Sequence, residues 1–256
     1  MTTVNDILEL METIAPLSLK MPWDNAGLLC GSRSTPVTKI LIALDPFEHV
    51  CDEAADWGAQ LIVTHHPLIF DPQRSVVDDN SVGRSILKLC RAGISAINAH
   101  TNLDQAEGGI NDIFAQTLGL SNIETVFEDN MQLLRRGEVK EQSLESFLAT
   151  VKEKLHCEGL RYCDAGKPVR KVAVGGGACG GELMQAVRAG CDTFVTADVK
   201  YNHFWDAKDA GLNIIDAGHF CTENPICAYL AEKIAAAFPD VEVKISETHA
   251  DCVKYY

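Results

Sequence analysis

The sequence predicts an α/β protein built from two related three-layer halves with mostly parallel sheets. Three observations predict it. Short apolar runs alternate with helical ones, as in parallel βαβ units. Four of the helical runs end at a glycine just before an apolar strand. The order strand, helix, strand, helix, strand occurs twice, near residues 39–101 and 171–219, which reads as a diverged internal duplication.

The chain opens on a helix. Thr3 and Asp6 fit a capping box, and Val4, Ile7, Leu8, Met11 and Ile14 share one face. That face packs on a core. The start has no basic n-region and no long apolar run, so it does not read as a secretory signal. Lys39 to Leu44 is the first strand of the first set and Lys171 to Val174 that of the second.

The four glycine-ended helices follow. Ala55-Asp56-Trp57-Gly58 leads into Leu61-Ile62-Val63 and then Thr64-His65-His66. Arg91-Ala92-Gly93 leads into Ile94 to Ile97 and then Asn98-Ala99-His100-Thr101. Arg188-Ala189-Gly190 leads into Phe194-Val195 and then Thr196-Ala197-Asp198, and Asp209-Ala210-Gly211 into Ile214-Ile215 and then Asp216-Ala217-Gly218-His219. Each glycine closes its helix in a left-handed conformation that a β-carbon would penalise. The apolar run after it suits a strand buried on both faces.

Glu141 to Leu155 reads as an amphipathic helix, with Leu144, Phe147, Leu148, Val151 and Leu155 on one face. The tail reads as a helix from Pro225 to Phe238, then a half-exposed strand from Val241 to Ile245.

Composition narrows the function. The chain has 256 residues, 46% hydrophobic and 23% charged, and nothing in it reads as a membrane span. Its net charge of −14 argues against broad nucleic-acid binding, which needs Lys and Arg to replace counterions on phosphates. Ten cysteines are scattered with no Cys-x-x-Cys pair, which points to free thiols in a reducing cytoplasm.

The chemistry-bearing residues fall where open parallel sheets bind ligands, beyond the carboxyl ends of strands. His65 and His66 follow one strand, His100 to Asp104 another, and His219 with Glu223 a third. Adjacent histidines on extended backbone point to opposite sides, so two neighbouring ions suit them better than one. A glutamate can bridge such ions, and imidazole plus carboxylate suits zinc, iron, manganese or nickel. His49, His156 and His249 read as ordinary hydrogen-bonded turn or core residues, the last two in polar, exposed surroundings.

Lys200, Tyr201 and His203 follow the strand at Phe194-Val195, either facing the metals to handle substrate or capping the next helix. The run Gly175 to Gly181 contains a Gly-x-Gly-x-x-Gly spacing, without the acidic residue near Thr196 that a ribose contact requires. It reads equally as a tight strand-to-helix turn.

These residues carry a family resemblance along nearly the whole chain. The stretches are Trp23 to Leu28, Leu44-Asp45, Thr64 to Phe70, His100 to Asp104, the glycine run, Asp198-Val199-Lys200-Tyr201, and Asp216 to Glu223. On them the chain resembles the Nif-three-like dinuclear metal-centre proteins, also labelled GTP cyclohydrolase I type 2 homologs. The resemblance implies two divalent ions per subunit, His66 and Asp104 on one, His65 and His219 on the other, and Glu223 bridging. It also implies a toroidal homohexamer of the short form, without the extra domain some relatives insert between the halves. Many relatives place a histidine right after the Lys-Tyr pair, where this chain has Asn202 before His203.

Because its ligands come from both ends of the chain, the tail is expected to fold back on the first half. Residues 1–125 plus 219–256 would form the metal-binding domain and 126–218 the second. Three functions follow. One is a metal-dependent hydrolase of a nucleotide or similar small polar substrate, like GTP cyclohydrolase, with His100, Lys200, Tyr201 and His203 as candidate catalytic groups. The second is a non-catalytic metal-binding or protein-interaction hexamer. The third, which the charge disfavours, is a nucleic-acid-processing ring.

Overall fold

A computed structural model describes residues 1–128 and 131–256. The chain runs α1 (Val4–Ile14), β1 (Gly27–Cys30), β2 (Lys39–Ala43), α2 (Glu48–Trp57), β3 (Leu61–Thr64), α3 (Ser81–Ala92), β4 (Ser95–Asn98) and α4 (Thr101–Gln105). It continues with α5 (Ile110–Thr117), β5 (Ser121–Glu128), β6 (Met131–Gln142), α6 (Leu144–Lys154), β7 (Arg161–Cys163), β8 (Val169–Val174), α7 (Leu183–Arg188) and β9 (Thr193–Thr196). It ends with α8 (Tyr201–Asp209), β10 (Asn213–Asp216), α9 (His219–Glu223), α10 (Pro225–Ala237) and β11 (Glu242–Ile245).

Two compact units result, residues 1–107 with 227–250 and residues 108–226 with 251–256. The division expected from the sequence differs at three places. The first crossing comes at Gly108, because α5 packs Phe114 and Ala115 into the core of the second unit. The return comes at Cys227, inside α10, so His219 and Glu223 belong to the second unit. The last six residues also join the second unit, where the Tyr255 ring lies against Gly159.

In the first unit the capping box forms as read. The Thr3 hydroxyl accepts from the Asp6 amide, and Asp6 accepts from the Thr3 amide, starting a helix that buries Val4, Ile7 and Met11. The sheet has the order β1-β4-β3-β2-β11, parallel except for β1. Gly58 and Gly93 close α2 and α3 at φ 76° and 69°, which brings each chain back into the sheet within a few residues. One face of β2, β3 and β4 then buries Leu41, Ile62 and Ala96 against Val50, Ala54 and Leu89 of the helices. His249, read as exposed, is half-buried. Its Nε2 accepts the Leu44 amide at 3.0 Å, and burial lowers its pKa.

The second unit has a mixed sheet, β5-β6-β8-β9-β10-β7, in which only β8, β9 and β10 run parallel. Antiparallel strands are added at both ends. Gly190 and Gly211 take φ 76° and 70°, matching their counterparts in the first unit. The internal duplication is visible in the topology. Each unit carries three consecutive parallel strands joined by helices, and each sets an antiparallel strand beside the third, β1 by β4 and β7 by β10. α6 begins at Leu144, because Glu141 and Gln142 still belong to β6. Inside this unit Arg135 is buried, with its Nε 3.0 Å from Asp112.

Among the described residues no helix is long and apolar enough to cross a membrane. None of the ten cysteines forms a disulfide.

Candidate metal centre

In the first unit β2, β3 and β4 are in register at their carboxyl ends, Ala43 beside Thr64 and Thr64 beside Asn98. The ladder runs one step further, with the His66 amide on the Leu44 carbonyl at 2.9 Å and the Ala99 amide on the Thr64 carbonyl at 3.1 Å. The chain therefore leaves all three strands at one sheet edge, and Asp45, His65, His66 and His100 leave with it. One ring nitrogen from each of His65, His66 and His100 lies within 4.8 Å of the others. The short α4 adds Asp104, whose Oδ1 is 3.7 Å from His65 Nε2.

The same construction recurs in the second unit. β10 ends, Gly218 turns the chain at φ 83°, and α9 presents His219 and Glu223 one helical turn apart. His219 Nε2 is 3.1 Å from Glu223 Oε2. In both units, then, the strand that ends the parallel set leads to a five-residue helix at which a histidine and a carboxylate stand four residues apart, His100 with Asp104 and His219 with Glu223.

Each of the four imidazoles is fixed through Nδ1. His65 donates to the Ala99 carbonyl at 2.8 Å, His66 to Asp45 at 2.6 Å, His100 to Asp24 at 2.8 Å and His219 to Asp198 at 2.7 Å. A carbonyl or an ionised carboxylate only accepts, so in every case the proton sits on Nδ1. Nε2 is then the ring atom suited to ligate an ion, and the partner sets the ring's orientation. Asp198 holds this position at φ 50°, a left-handed conformation that Asp tolerates better than most residues.

Asp24 is the most deeply embedded of these partners. Burial alone would raise its pKa, but hydrogen bonds from His100 and Thr101 outweigh burial and hold the carboxyl at about 2. It is therefore an anion at neutral pH.

The glycine run belongs to the same architecture. The amides of Gly175, Gly176 and Gly177 donate to the Val195 carbonyl, Asn111 Oδ1 and Thr222 Oγ1, at 3.1, 2.7 and 3.0 Å. These three committed amides do not cradle a phosphate, which favours the tight-turn reading. At Gly177 the reason for glycine is direct. With φ +61°, a β-carbon there would lie 2.1 Å from Glu223 Oε1 and 3.1 Å from His219 Nε2. The missing side chain is the space the two candidate ligands use.

Imidazole nitrogens with preset tautomers, carboxylates beside them and a glycine cradle fit a divalent transition ion. Lys200 stands at the N-cap of α8 without a side-chain capping bond, and Tyr201 begins the helix with its side chain exposed. The His203 amide donates to the Lys200 carbonyl at 3.0 Å. Asp24, Asp45 and Asp198 had no role in the sequence reading, although all three stand inside the motif stretches that carried the resemblance.

Known proteins share this fold. A family description, Duf34/NIF3 (NGG1p interacting factor 3), matches residues 2–252. The chain belongs to the DUF34/NIF3 family. A Clostridium perfringens relative called GTP cyclohydrolase 1 type 2 homolog is 36% identical over 255 residues, 97% of each chain. The crystal structure of a Staphylococcus aureus hypothetical protein superposes with a TM-score of 0.92 at 30% identity, covering 99% of both chains. A Bacillus cereus protein related to NIF3 gives a TM-score of 0.92 at 26% identity, covering 100% of this chain and 99% of that one. This DUF34/NIF3 chain thus shares its α/β architecture with family members over its full length.

Proposed function

We propose that this DUF34/NIF3 protein binds two divalent metal ions per subunit through His65, His66, Asp104, His219 and Glu223. We propose further that it acts as a metal-dependent hydrolase on a nucleotide or similar small polar substrate. The observation that carries the reading is that all three proposed histidine ligands, His65, His66 and His219, are bonded through Nδ1 to a carboxylate or carbonyl. Such rings are prepared to ligate through Nε2. The assignment of His66 and Asp104 to one ion, His65 and His219 to the other, and Glu223 as bridge follows the family resemblance.

Paired divalent ions supply Lewis acidity and make water a competent nucleophile near neutral pH. The protein's own groups do the rest. Asp45, Asp198 and the Ala99 carbonyl keep three imidazoles in one tautomer and one orientation. His100, held through Nδ1 by the Asp24 anion, offers Nε2 to take a proton from an attacking water. The relatives' name, GTP cyclohydrolase 1 type 2 homolog, makes hydrolytic opening of a guanine imidazole ring the first reaction to test. On the resemblance we extend the proposal to a toroidal homohexamer, and on ten cysteines without a disulfide to the cytoplasm.

The experiment is a turnover assay of purified, metal-loaded protein against a nucleotide panel. Steady, metal-dependent hydrolysis that is lost in His100→Ala supports the reading. Two bound ions with no turnover of any nucleotide favours the non-catalytic metal-binding alternative.

A further inference from the structure

The first unit holds two large aromatic side chains that the metal-binding role does not use. Trp23 is 60% exposed and Phe70 is 50% exposed. They come from distant segments yet meet edge to face, with ring centroids 5.9 Å apart and planes at 63°. Both also meet the His100 ring, Trp23 at 6.3 Å and Phe70 at 6.0 Å, each near perpendicular. His100 in turn contacts His65 at 5.1 Å and His66 at 5.7 Å. The rings form one continuous cluster, with histidines inside and two hydrophobic rings at the solvent edge.

The corner is fixed rather than loose. Asp24, next to Trp23, accepts from His100 Nδ1 and from the Thr101 amide and hydroxyl. Asn25 Nδ2 donates to the Ile69 carbonyl at 2.6 Å and so ties the Trp23 segment to the residue before Phe70. Exposed aromatic surface forgoes burial free energy, and ordering it forgoes entropy as well. Two rings inclined at 63° leave an angled wall at the surface. A flat π-system that stacks on one ring presents its edge to the other, the arrangement aromatic quadrupoles favour.

We propose that Trp23 and Phe70 form the stacking platform for a planar heteroaromatic ring, such as a purine base, beside His100. Taking that ring as part of a substrate rests on the hydrolase reading above. Stacking is tolerant of base identity, because every base has a π-face. The platform therefore selects for a base, and groups facing its edge set which one.

The test uses Trp23 fluorescence, which needs no turnover. The protein has three tryptophans, so Trp57→Phe and Trp205→Phe together leave Trp23 as the sole reporter. The metal-loaded protein is titrated with guanosine 5′-monophosphate, and separately with ribose 5-phosphate, which lacks the base. Saturable quenching by the nucleotide alone is expected. Phe70→Leu, which keeps apolar bulk but loses the π-face, should weaken it roughly 5- to 150-fold, and Phe70→Tyr should restore it.

Equal quenching by ribose 5-phosphate, or an unchanged response in Phe70→Leu, overturns the proposal. Trp23 emission shielded from acrylamide until the oligomer is dissociated also overturns it, because a second copy of the chain then covers the corner. Two ions per chain with no quenching removes the platform and leaves the metal centre standing. Quenching without hydrolysis keeps the platform and removes the enzyme.

Discussion

Replacing Gly177 with alanine separates two costs that the structure allows to be worked out in advance. The first is conformational. At φ +61° a β-carbon is disfavoured by roughly 1–2 kcal/mol whatever surrounds it. The second is steric and local. The new carbon would stand 2.1 Å from Glu223 Oε1, against an ordinary contact distance of at least 3.4 Å. Something must retreat by more than an ångström. The backbone is pinned on both sides, by the Gly177 amide on Thr222 and the Ala197 amide on the Gly177 carbonyl, each at 3.0 Å. The Glu223 carboxylate therefore moves. It is only 4% exposed, and its Cγ already approaches the Gly176 position, so displacement leaves it poorly placed and costs about 1–2 kcal/mol more.

Gly190→Ala is the control, since Gly190 has φ +76° and nothing within 4 Å of a new β-carbon. Thermal unfolding without metal should show both variants destabilised, Gly177→Ala by more. Dialysis against a weak chelator followed by metal analysis should show wild-type content in Gly190→Ala. Gly177→Ala should bind metal at least about tenfold more weakly, the effect of disturbing a ligand's position. If it keeps wild-type metal content and unfolds together with Gly190→Ala, the reasoning about Glu223 is wrong.

Other consequences are open to simpler tests. Asp198→Asn keeps a residue that tolerates φ 50° but removes the charge from His219 Nδ1, so calorimetry should find metal binding weakened about tenfold with metal-free stability nearly unchanged. Asp112→Asn removes a carboxylate 3.0 Å from the buried Arg135 charge and should cost up to about 3–5 kcal/mol in urea unfolding, whereas a loss under about 1 kcal/mol would mean other partners of the guanidinium compensate. Burial raises the Glu53 pKa, but hydrogen bonds from Glu247, Ser246 and Thr248 override it and bring the carboxyl to about 2. A depressed pKa stabilises the fold above the ordinary value of 4.5 and loses that stability as pH falls toward 2. Glu53→Gln should thus cost about 1–2 kcal/mol at pH 7, after discounting for solvent, and the gap from wild type should close between those two values.

The parallel core of each unit was legible because its signals are local. Gly58, Gly93, Gly190 and Gly211 each end a helix within a few residues of the strand they precede, and all four take positive φ. The histidines of the candidate site were conspicuous for the same reason, since His65, His66, His100 and His219 follow closely on their strands. The antiparallel strands were not. β5 is largely exposed and lacks a clean alternation, while β1 and β7 each pair with a strand far along the sequence. The histidines' partners escaped too. Asp24 meets His100 across 76 residues, and Asp45 and Asp198 each reach a histidine 21 residues on, separations at which spacing carries no geometric signal. The domain boundary at Cys227 lies inside α10, where composition does not change.

Metal content per chain in Glu223→Gln tests most directly the proposed metal pair held jointly by His65, His66, Asp104, His219 and Glu223. The substitution keeps size and a carbonyl oxygen but removes the charge that offsets repulsion between two cations. After dialysis against a weak chelator, wild-type protein should retain about two ions per chain and His65→Ala about one. Glu223→Gln should retain close to none. Retention of both ions at wild-type occupancy in Glu223→Gln would contradict the bridging role and the shared centre built on it.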